Sequence, residues 1–333
     1  MRVCIVGPGA VGGFMAARLA LAGEQVSALA RGATLEALSR GPLVLSEAAP
    51  GAGNEARASV RASSDAAALG RQDLVILAVK TTGLADVAAR IGPLIGPDTV
   101  VLSAMNGVPW WFFTGLDAGL EGREWPSVDP DGRLARAIPV QNVLGAVVHF
   151  SCSSPRPGHV RHAMGARLIV GEPLGGESER ARQVAQLLSG AGFEVEVSPR
   201  IQHDIWFKLW GNMTINPISA ITGATSDAVL DDPLVRDFVS RIMREAAAIG
   251  ERIGLPIAIT PEERHAVTRK LGAFRTSMLQ DVDAGKPVEL DSLLTVVREI
   301  GLAVDVPTPD IDALLGLARL HARVHGLYPP AAA

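Results

Sequence analysis

Short apolar runs alternate with amphipathic segments along the N-terminal part of the chain, a pattern typical of a parallel sheet covered by helices. Residues 2–6 form the first apolar run and predict a fully buried strand. Further strands are predicted at 25–30, 73–79, 99–103, 143–150, 160–162, 167–170 and 194–197. Helices are predicted at 14–22, 84–91 and 177–191, and an irregular or hairpin excursion at 41–62.

Beyond residue 198 the hydrophobic positions follow a helical period only. Pro233, Pro261 and Pro309 lie near predicted helix starts, where proline is favoured. The predicted helices cover 201–221, 233–253, 261–275, 277–284, 289–303 and 309–324. The sequence therefore predicts an α/β protein, with an N-terminal Rossmann-type doubly wound sheet in residues 1–198 and an all-helical C-terminal domain in residues 199–328.

A glycine-rich turn joins the first predicted strand to the first predicted helix. In a GxGxxG turn the first glycine allows a tight bend, the second lets the backbone approach a pyrophosphate, and the third permits close packing of helix on strand. The motif alone is weak evidence, but in this position it predicts dinucleotide binding rather than a structural turn. The candidate cofactor-binding residues here are Gly7, Pro8, Gly9, Ala10, Val11 and Gly12.

Arg31 follows the second predicted strand, where an NAD-selective site usually carries an acidic residue. A guanidinium can bind the 2′-phosphate of NADP through two parallel hydrogen bonds. The position therefore favours NADPH/NADP as the cofactor. The alternative is a solvated arginine at a strand end.

Lys80 and Asn106 lie just beyond the carboxyl ends of two further predicted strands, where ligands bind in open α/β sheets. Lys80 is a candidate for contact with a cofactor phosphate or a substrate carboxylate. Asn106 is a candidate for contact with the nicotinamide or the substrate. Either residue could equally cap a loop, and a plain turn is an equal alternative for Asn106-Gly107.

Lys208, Asn212 and Asn216 recur every four residues in a segment that is otherwise mostly apolar. In a helix this spacing places one ammonium and two amides in a row on one face. Burying such groups without partners costs about 1 to 3 kcal/mol for each neutral group and more for a charge. The segment predicts a polar ligand or, as an equal alternative, a helix N-cap network with a snorkelling lysine.

Composition and charge agree with an enzyme that acts on a small molecule. No apolar run in the 333 residues approaches the ~20 residues that span a bilayer, and a net charge of −4 gives no basic field for nucleic acid. Cys4 and Cys152 are too few for a disulfide framework or a cysteine-rich metal site, and the histidines lack metal-ligand spacing. We therefore expect no metal and no nucleic-acid or membrane partner. We also expect a cytoplasmic protein, because a strand beginning at Arg2 leaves no room for a signal peptide.

Four consecutive aromatic residues at 110–113 open a segment in which the sheet pattern breaks, and Trp125 follows them. An aromatic cluster of this kind indicates core packing or a subunit contact, or else a lid over the substrate. A homodimer is one possible assembly, although no feature of the sequence specifies it.

Several separated motifs together resemble the ketopantoate reductase family, also called 2-dehydropantoate 2-reductase. The resemblance covers residues 1–325, with the motifs in the family's order. Members reduce the ketone of 2-dehydropantoate with NADPH, a step toward pantothenate and coenzyme A. The motifs are the glycine turn at 7–13, Val79-Lys80, Asn106-Gly107, the row of Lys208, Asn212 and Asn216, SMLQD at 277–281, and Glu289-Leu290-Asp291.

This resemblance implies roles for the candidate site residues. Lys208 is expected to be the general acid, and Glu289 the carboxylate that positions the substrate and the lysine. The implied substrate contacts are Asn212 and Asn216 to hydroxyl groups, Ser277 to the carboxylate, and Asn106 near the nicotinamide and the keto group. Lys80 and Arg31 resemble residues on the cofactor side.

Two stretches depart from the family pattern and bear on the choice of substrate. The segment at 105–109 reads MNGVP instead of QNGxG, and residues 110–139 form a longer and more aromatic stretch. One alternative is therefore a reductase of the same fold for another branched or aromatic 2-keto acid. Another is a catalytically silent NADPH-binding sensor or scaffold, although a binder needs neither Lys208 nor Glu289.

Overall fold

The computed structural model describes residues 1–47, 55–116 and 118–330. The chain divides into two compact units. Unit 1 contains Met1–Asn106 and Asp131–Asp204, and unit 2 contains Gly107–Pro130 and Ile205–Ala333. The predicted boundary after residue 198 lies close to the observed division after residue 204. Residues 107–130, which the prediction placed in the first domain, belong to unit 2 instead.

Unit 1 is built on a ten-stranded mixed sheet. The order is β4-β3-β9-β8-β7-β6-β1-β2-β5, with β10 paired to β9. The β3–β4 and β8–β9 pairs are antiparallel, and the other pairs are parallel. The strands are β1 (Arg2–Val6), β2 (Gln25–Leu29), β3 (Leu43–Glu47), β4 (Glu55–Ala58), β5 (Arg61–Ser63), β6 (Leu74–Leu77), β7 (Val100–Ser103), β8 (Val143–Arg156), β9 (His159–Gly171) and β10 (Glu194–Ser198).

The order of the parallel strands reverses between β1 and β6. From β1 the chain adds β2 and β5 on one side of the sheet, and β6, β7 and β8 on the other. This is the strand order of a doubly wound dinucleotide-binding fold, in which the ligand binds beyond the carboxyl ends of the strands at the reversal. The predicted doubly wound sheet is present.

Helix α1 packs its apolar side against this sheet. Phe14 is fully buried, and its ring meets those of Phe150 and Phe193 edge-on, at centroid distances of 5.0 and 5.5 Å. Edge-to-face contacts of this kind add to the free energy gained by burying the rings. The helices of unit 1 are α1 (Ala10–Leu21), α2 (Gly32–Arg40), α3 (Ala66–Leu69), α4 (Leu84–Ala88), α5 (Arg133–Ala137) and α6 (Glu179–Gly190).

Several features of unit 1 differ from the prediction. Residues 159–171 form one strand, not two, because Gly165 (φ +74°) lets β9 pass close to β8: a Cβ atom there would lie 2.6 Å from the carbonyl oxygen of His149. Helix α1 begins at Ala10 rather than at residue 14, because Gly12 and Gly13 pack inside its first turn. Helices α2, α3 and α5 were not predicted.

Unit 2 is helical, as predicted. Its core includes Trp206 and Trp210, and the indole N–H of Trp210 donates to the carbonyl oxygen of Met243 at 2.6 Å. Among the described residues, no helix has the length and apolar character needed to cross a membrane. The helices are α7 (Ile201–Thr222), whose first turn lies in unit 1, α8 (Ser226–Asp231), α9 (Pro233–Arg252), α10 (Pro261–Arg269), α11 (Ser277–Asp283), α12 (Val296–Ala303) and α13 (Pro309–Val324). A π-helical turn (Asp291–Thr295) precedes α12.

The aromatic segment is part of the core of unit 2. The four side chains at 110–113 are between 0% and 8% exposed. The ring of Phe113 stacks on that of Trp125 at 3.9 Å, and the ring of Phe112 lies 6.2 Å from that of Trp206. Burial of this much aromatic surface explains why the segment folds with the helices. It supports the interpretation as core packing and not as a lid.

Both cysteines are free thiols in unit 1, where Cys4 is buried and Cys152 is partly buried. Cys4 lies on β1 and Cys152 on β8. Burial raises the pKa of the Cys4 thiol to about 11 and that of Cys152 to about 12, because the thiolate would lose its hydration. Both groups are therefore neutral at physiological pH.

Candidate functional site

The glycine turn after β1 lies beside the end of β6. Gly7 has φ +87°, and a Cβ atom there would lie 2.5 Å from Cγ1 of Val79. A Cβ atom at Gly12 would lie 2.3 Å from the carbonyl oxygen of Gly7. Both positions therefore need glycine for internal reasons, namely a tight bend and close packing of the helix on the turn.

Gly9 is different, because a Cβ atom there would meet nothing within 4 Å. Internal packing therefore does not require glycine at position 9, whereas close approach by a pyrophosphate would. Helix α1 begins at the next residue, Ala10, and its first backbone N–H groups have no partner within the helix. The turn from Gly7 to Gly12, including Pro8 and Val11, thus fits a dinucleotide phosphate at a helix N-terminus.

Arg31 lies at the carboxyl end of β2, immediately before α2. Its side chain is 69% exposed, and its guanidinium pairs with the carboxylate of Asp86 on α4 at 3.0 Å. Arg90 pairs with the same carboxylate at 2.5 Å. Arg31 is therefore held by a neighbouring acid. Sequence reasoning did not identify this partner, because the two residues are distant along the chain.

Lys80 and Asn106 follow the adjacent parallel strands β6 and β7, which pair in register at Leu77 and Ser103. Both side chains are partly buried. Lys80 precedes a short 3-10 turn (Thr81–Gly83), and Asn106 is the last residue before the chain enters unit 2. The two residues therefore follow neighbouring strands at the carboxyl edge of the sheet.

The row of Lys208, Asn212 and Asn216 lies on one face of α7, well inside the helix. Lys208 and Asn212 are partly buried, and Asn216 is 8% exposed. Among the described residues, the amides of Asn212 and Asn216 make no hydrogen bond with the protein. An N-cap network therefore does not account for them, and a polar ligand would satisfy both.

Burial lowers the pKa of the Lys208 ammonium from 10.5 to about 8, because the charged form loses hydration. An amine with this pKa is mostly protonated at neutral pH and gives up its proton more readily than an exposed lysine. Lys208 therefore has the properties of a proton donor.

Glu289 is partly buried and lies two residues before the π-helical turn, whose N-cap is Leu290. Asp291 anchors this turn, because its Oδ1 atom accepts hydrogen bonds from Tyr328 at 2.6 Å and from Thr295 at 3.0 Å. Such turns are frequent at functional sites. Ser277 is exposed at the first residue of α11, whose N-cap is the side chain of Thr276.

Two family models together match most of the chain. Residues 3–175 match the model described as ketopantoate reductase PanE/ApbA, and residues 200–322 match the model of its C-terminal part. The chain belongs to the ketopantoate reductase family. This confirms the resemblance found in the sequence and the predicted oxidoreductase class.

Individual relatives agree with the family models. A Mesorhizobium japonicum protein named 2-dehydropantoate 2-reductase is 43% identical over 98% of this chain and all of its own length. A Ralstonia solanacearum MolK2 structure assigned as a ketopantoate reductase is 58% identical, with a TM-score of 0.93 over 98% of this chain and 99% of that chain. A family member from Ralstonia eutropha JMP134 is 27% identical, with a TM-score of 0.82 over 98% of this chain and all of that one.

These relatives confirm the predicted fold class, an N-terminal sheet with helices followed by a helical region. They also weigh against the silent sensor or scaffold, since they are named as reductases.

Proposed function

We propose that this protein reduces the keto group of a 2-keto acid to a hydroxyl group with NADPH, and that its substrate is 2-dehydropantoate. The observation that carries the proposal is the row of polar groups on α7. Lys208, whose ammonium has a pKa of about 8, lies one turn from Asn212 and two turns from Asn216. No described residue forms a hydrogen bond with either amide. Membership of the ketopantoate reductase family supplies the reaction class.

The proposed cofactor is NADPH, which when bound supplies the hydride that adds to the keto carbon. The turn from Gly7 to Gly12 would hold its pyrophosphate, and Arg31 would bind the 2′-phosphate in place of Asp86. Lys80 and Asn106 would contact the cofactor near the carboxyl ends of β6 and β7. The open space at Gly9 and the exposed guanidinium of Arg31 support this assignment.

Lys208 would stabilise the developing negative charge on the keto oxygen and donate a proton to it. An ammonium within hydrogen-bond reach of that oxygen performs both tasks. Glu289 would hold the ammonium and the substrate in place. Asn212 and Asn216 would bind the hydroxyl groups of the substrate, and Ser277 its carboxylate.

The direct test is to follow NADPH oxidation by the purified protein with a panel of 2-keto acids. We expect 2-dehydropantoate to give the highest kcat/KM, with pyruvate and phenylpyruvate as the small and aromatic comparisons. Absence of turnover with 2-dehydropantoate between pH 5 and 9 would reject this substrate. A preference for phenylpyruvate would keep the reaction class and reassign the substrate.

The homodimer remains a prediction. Light scattering on the purified protein would give the mass in solution directly.

A further inference from the structure

The guanidinium of Arg264 in unit 2 is partly buried and has no counter-ion among the described residues. The residue lies on α10, and its Nε atom is buried with no hydrogen-bond partner. Among the described residues, no carboxylate lies within ion-pair distance of this side chain. By contrast, Arg269 on the same helix pairs with Asp231 at 2.5 Å.

Arg264 lies against the helix that carries Lys208. Its guanidinium carbon is 5.5 Å from the centre of the Phe207 ring. A Cβ atom at Gly211 would lie 2.7 Å from its Nη2 atom and 2.9 Å from its Nε atom. Glycine at position 211 therefore leaves the space that the guanidinium occupies.

Phe207 and Gly211 lie next to the polar row on α7, both on the same side of it. Gly211 follows Lys208 by three residues and precedes Asn212 by one. Residues three apart in a helix lie on the same side, about one turn from each other. The Arg264 cation therefore lies beside the row that contains the proton donor.

Burying a cation without an anion is costly, and burial indeed lowers the pKa of Arg264. Its contact with the Phe207 ring offsets only part of this cost, since a cation–π contact is weaker than an ion pair with a buried carboxylate. A bound anion would offset the remaining cost of burying the Arg264 charge. In a 2-keto acid, the carboxylate is bonded directly to the keto carbon, so a group that binds the carboxylate must lie close to the group that protonates the ketone.

We propose that Arg264 binds the carboxylate of the 2-keto acid substrate and makes the enzyme selective for acids over the corresponding neutral ketones. A guanidinium suits this task because its N–H groups can meet both carboxylate oxygens. The inference rests on the proposed function and deepens it. Ser277 would then contribute a second, neutral donor to the same carboxylate.

The test compares Arg264→Met with the control Arg269→Met, which removes an exposed, paired arginine from the same helix. Each is assayed with 2-dehydropantoate and with its primary amide, which keeps the keto group and lacks the charge. In Arg264→Met we expect KM for the acid to rise roughly 100-fold, with kcat less affected and KM for the amide unchanged. The control should match the wild type with both substrates.

A binding measurement separates substrate recognition from turnover. Calorimetric titration of pantoate into the enzyme saturated with NADP⁺ should show weaker binding in Arg264→Met, by about the same factor, with NADPH affinity unchanged. Arg264→Lys keeps a charge and loses the two-point geometry, so it should bind the acid roughly 10-fold less tightly than the wild type. If Arg264→Met does not fold, the pantoate affinity of Arg264→Lys provides the test instead.

The outcomes separate this inference from the proposed function. If the wild type reduces no 2-keto acid, the proposed function fails. If the wild type reduces 2-dehydropantoate and both Arg264 variants bind pantoate as it does, the inference alone fails. Equal losses with the acid and the amide would also overturn it, because they would show a structural role for Arg264.

Discussion

The backbone at Gly107 lies directly against the carbonyl oxygen of Ser292. A Cβ atom at position 107 would be 2.5 Å from that oxygen, and the N–H of Val108 donates to it at 2.9 Å. Gly107 also has φ +80°, a conformation that favours glycine. Because Asn106 precedes Gly107 and Glu289 lies close before Ser292 in the chain, this contact fixes the backbone beside two candidate site residues.

Replacing Gly107 with alanine should destabilise the protein by about 3 kcal/mol, because the methyl group adds a collision to the backbone strain. Gly272→Ala is the matched control, since Gly272 has φ +62° and no neighbour within 4 Å. Strain alone should make that change cost about 1 kcal/mol. Urea unfolding of the two variants measures the difference, and equal losses would show that the contact with Ser292 is easily relieved.

The rate of ketone reduction should depend on the protonation of Lys208. With a pKa of about 8, the ammonium predominates below pH 7 and is lost as the pH rises through 8. We expect kcat/KM for the keto acid to be level below pH 7 and to fall about tenfold per pH unit well above 8. The measurement is a pH profile in the direction of NADPH oxidation.

Lys208→Met should lower kcat by roughly 100-fold or more and leave NADPH binding intact. Lys270→Met, at an exposed lysine of unit 2, is the control and should retain wild-type turnover. If the wild-type rate instead increased through pH 8, the neutral amine would be the active form and Lys208 would not be the acid.

The ion pair of Arg31 and Asp86 should compete with the cofactor phosphate. Arg31→Ala should weaken NADPH binding roughly 30-fold and change NADH binding less than about twofold. Asp86→Asn removes the competing carboxylate, so NADPH should bind a fewfold more tightly. Fluorescence titration with both cofactors measures this, and Arg40→Ala, at an exposed arginine near the end of α2, is the control. Equal losses of NADPH and NADH in Arg31→Ala would remove Arg31 from phosphate recognition.

Two glycines of the turn after β1 should respond in opposite ways to alanine. Gly9→Ala should leave the thermal midpoint unchanged and weaken NADPH binding more than tenfold, because the methyl group would enter only the space that the pyrophosphate needs. Gly12→Ala should lower the midpoint even without cofactor, since its methyl group would lie 2.3 Å from the oxygen of Gly7. Wild-type NADPH affinity in a folded Gly9→Ala variant would contradict the placement of the pyrophosphate.

The sequence predicted those features that depend on local periodicity. Hydrophobic periodicity predicted the helix at 201–221, and the four-residue spacing of Lys208, Asn212 and Asn216 predicted that their side chains share one face of it. The apolar run at 2–6 with its glycine turn likewise predicted β1 and the turn into α1. Helix α2 was missed because only Leu38 is buried along its length, so it has little apolar period to recognise.

Features that depend on contacts between distant residues were not predictable in this way. The pairing of Arg31 with Asp86 and the contact of Arg264 with Gly211 join residues more than 50 positions apart. The assignment of residues 107–130 to unit 2 depends in the same way on which core buries the aromatic side chains. The hydrophobic pattern along the chain shows that these aromatic side chains must be buried, but it does not show in which of the two cores.

The two neutral thiols, one buried and one partly buried, make the protein a convenient host for site-specific labels. The thiols of Cys4 and Cys152 have pKa values far above neutral pH. Maleimide reagents will therefore react with them slowly, because the thiolate is the reactive form. A single cysteine introduced at an exposed position can then carry a fluorophore or spin label without first removing the native residues. One such probe on each unit would measure the distance between the labels with and without bound cofactor.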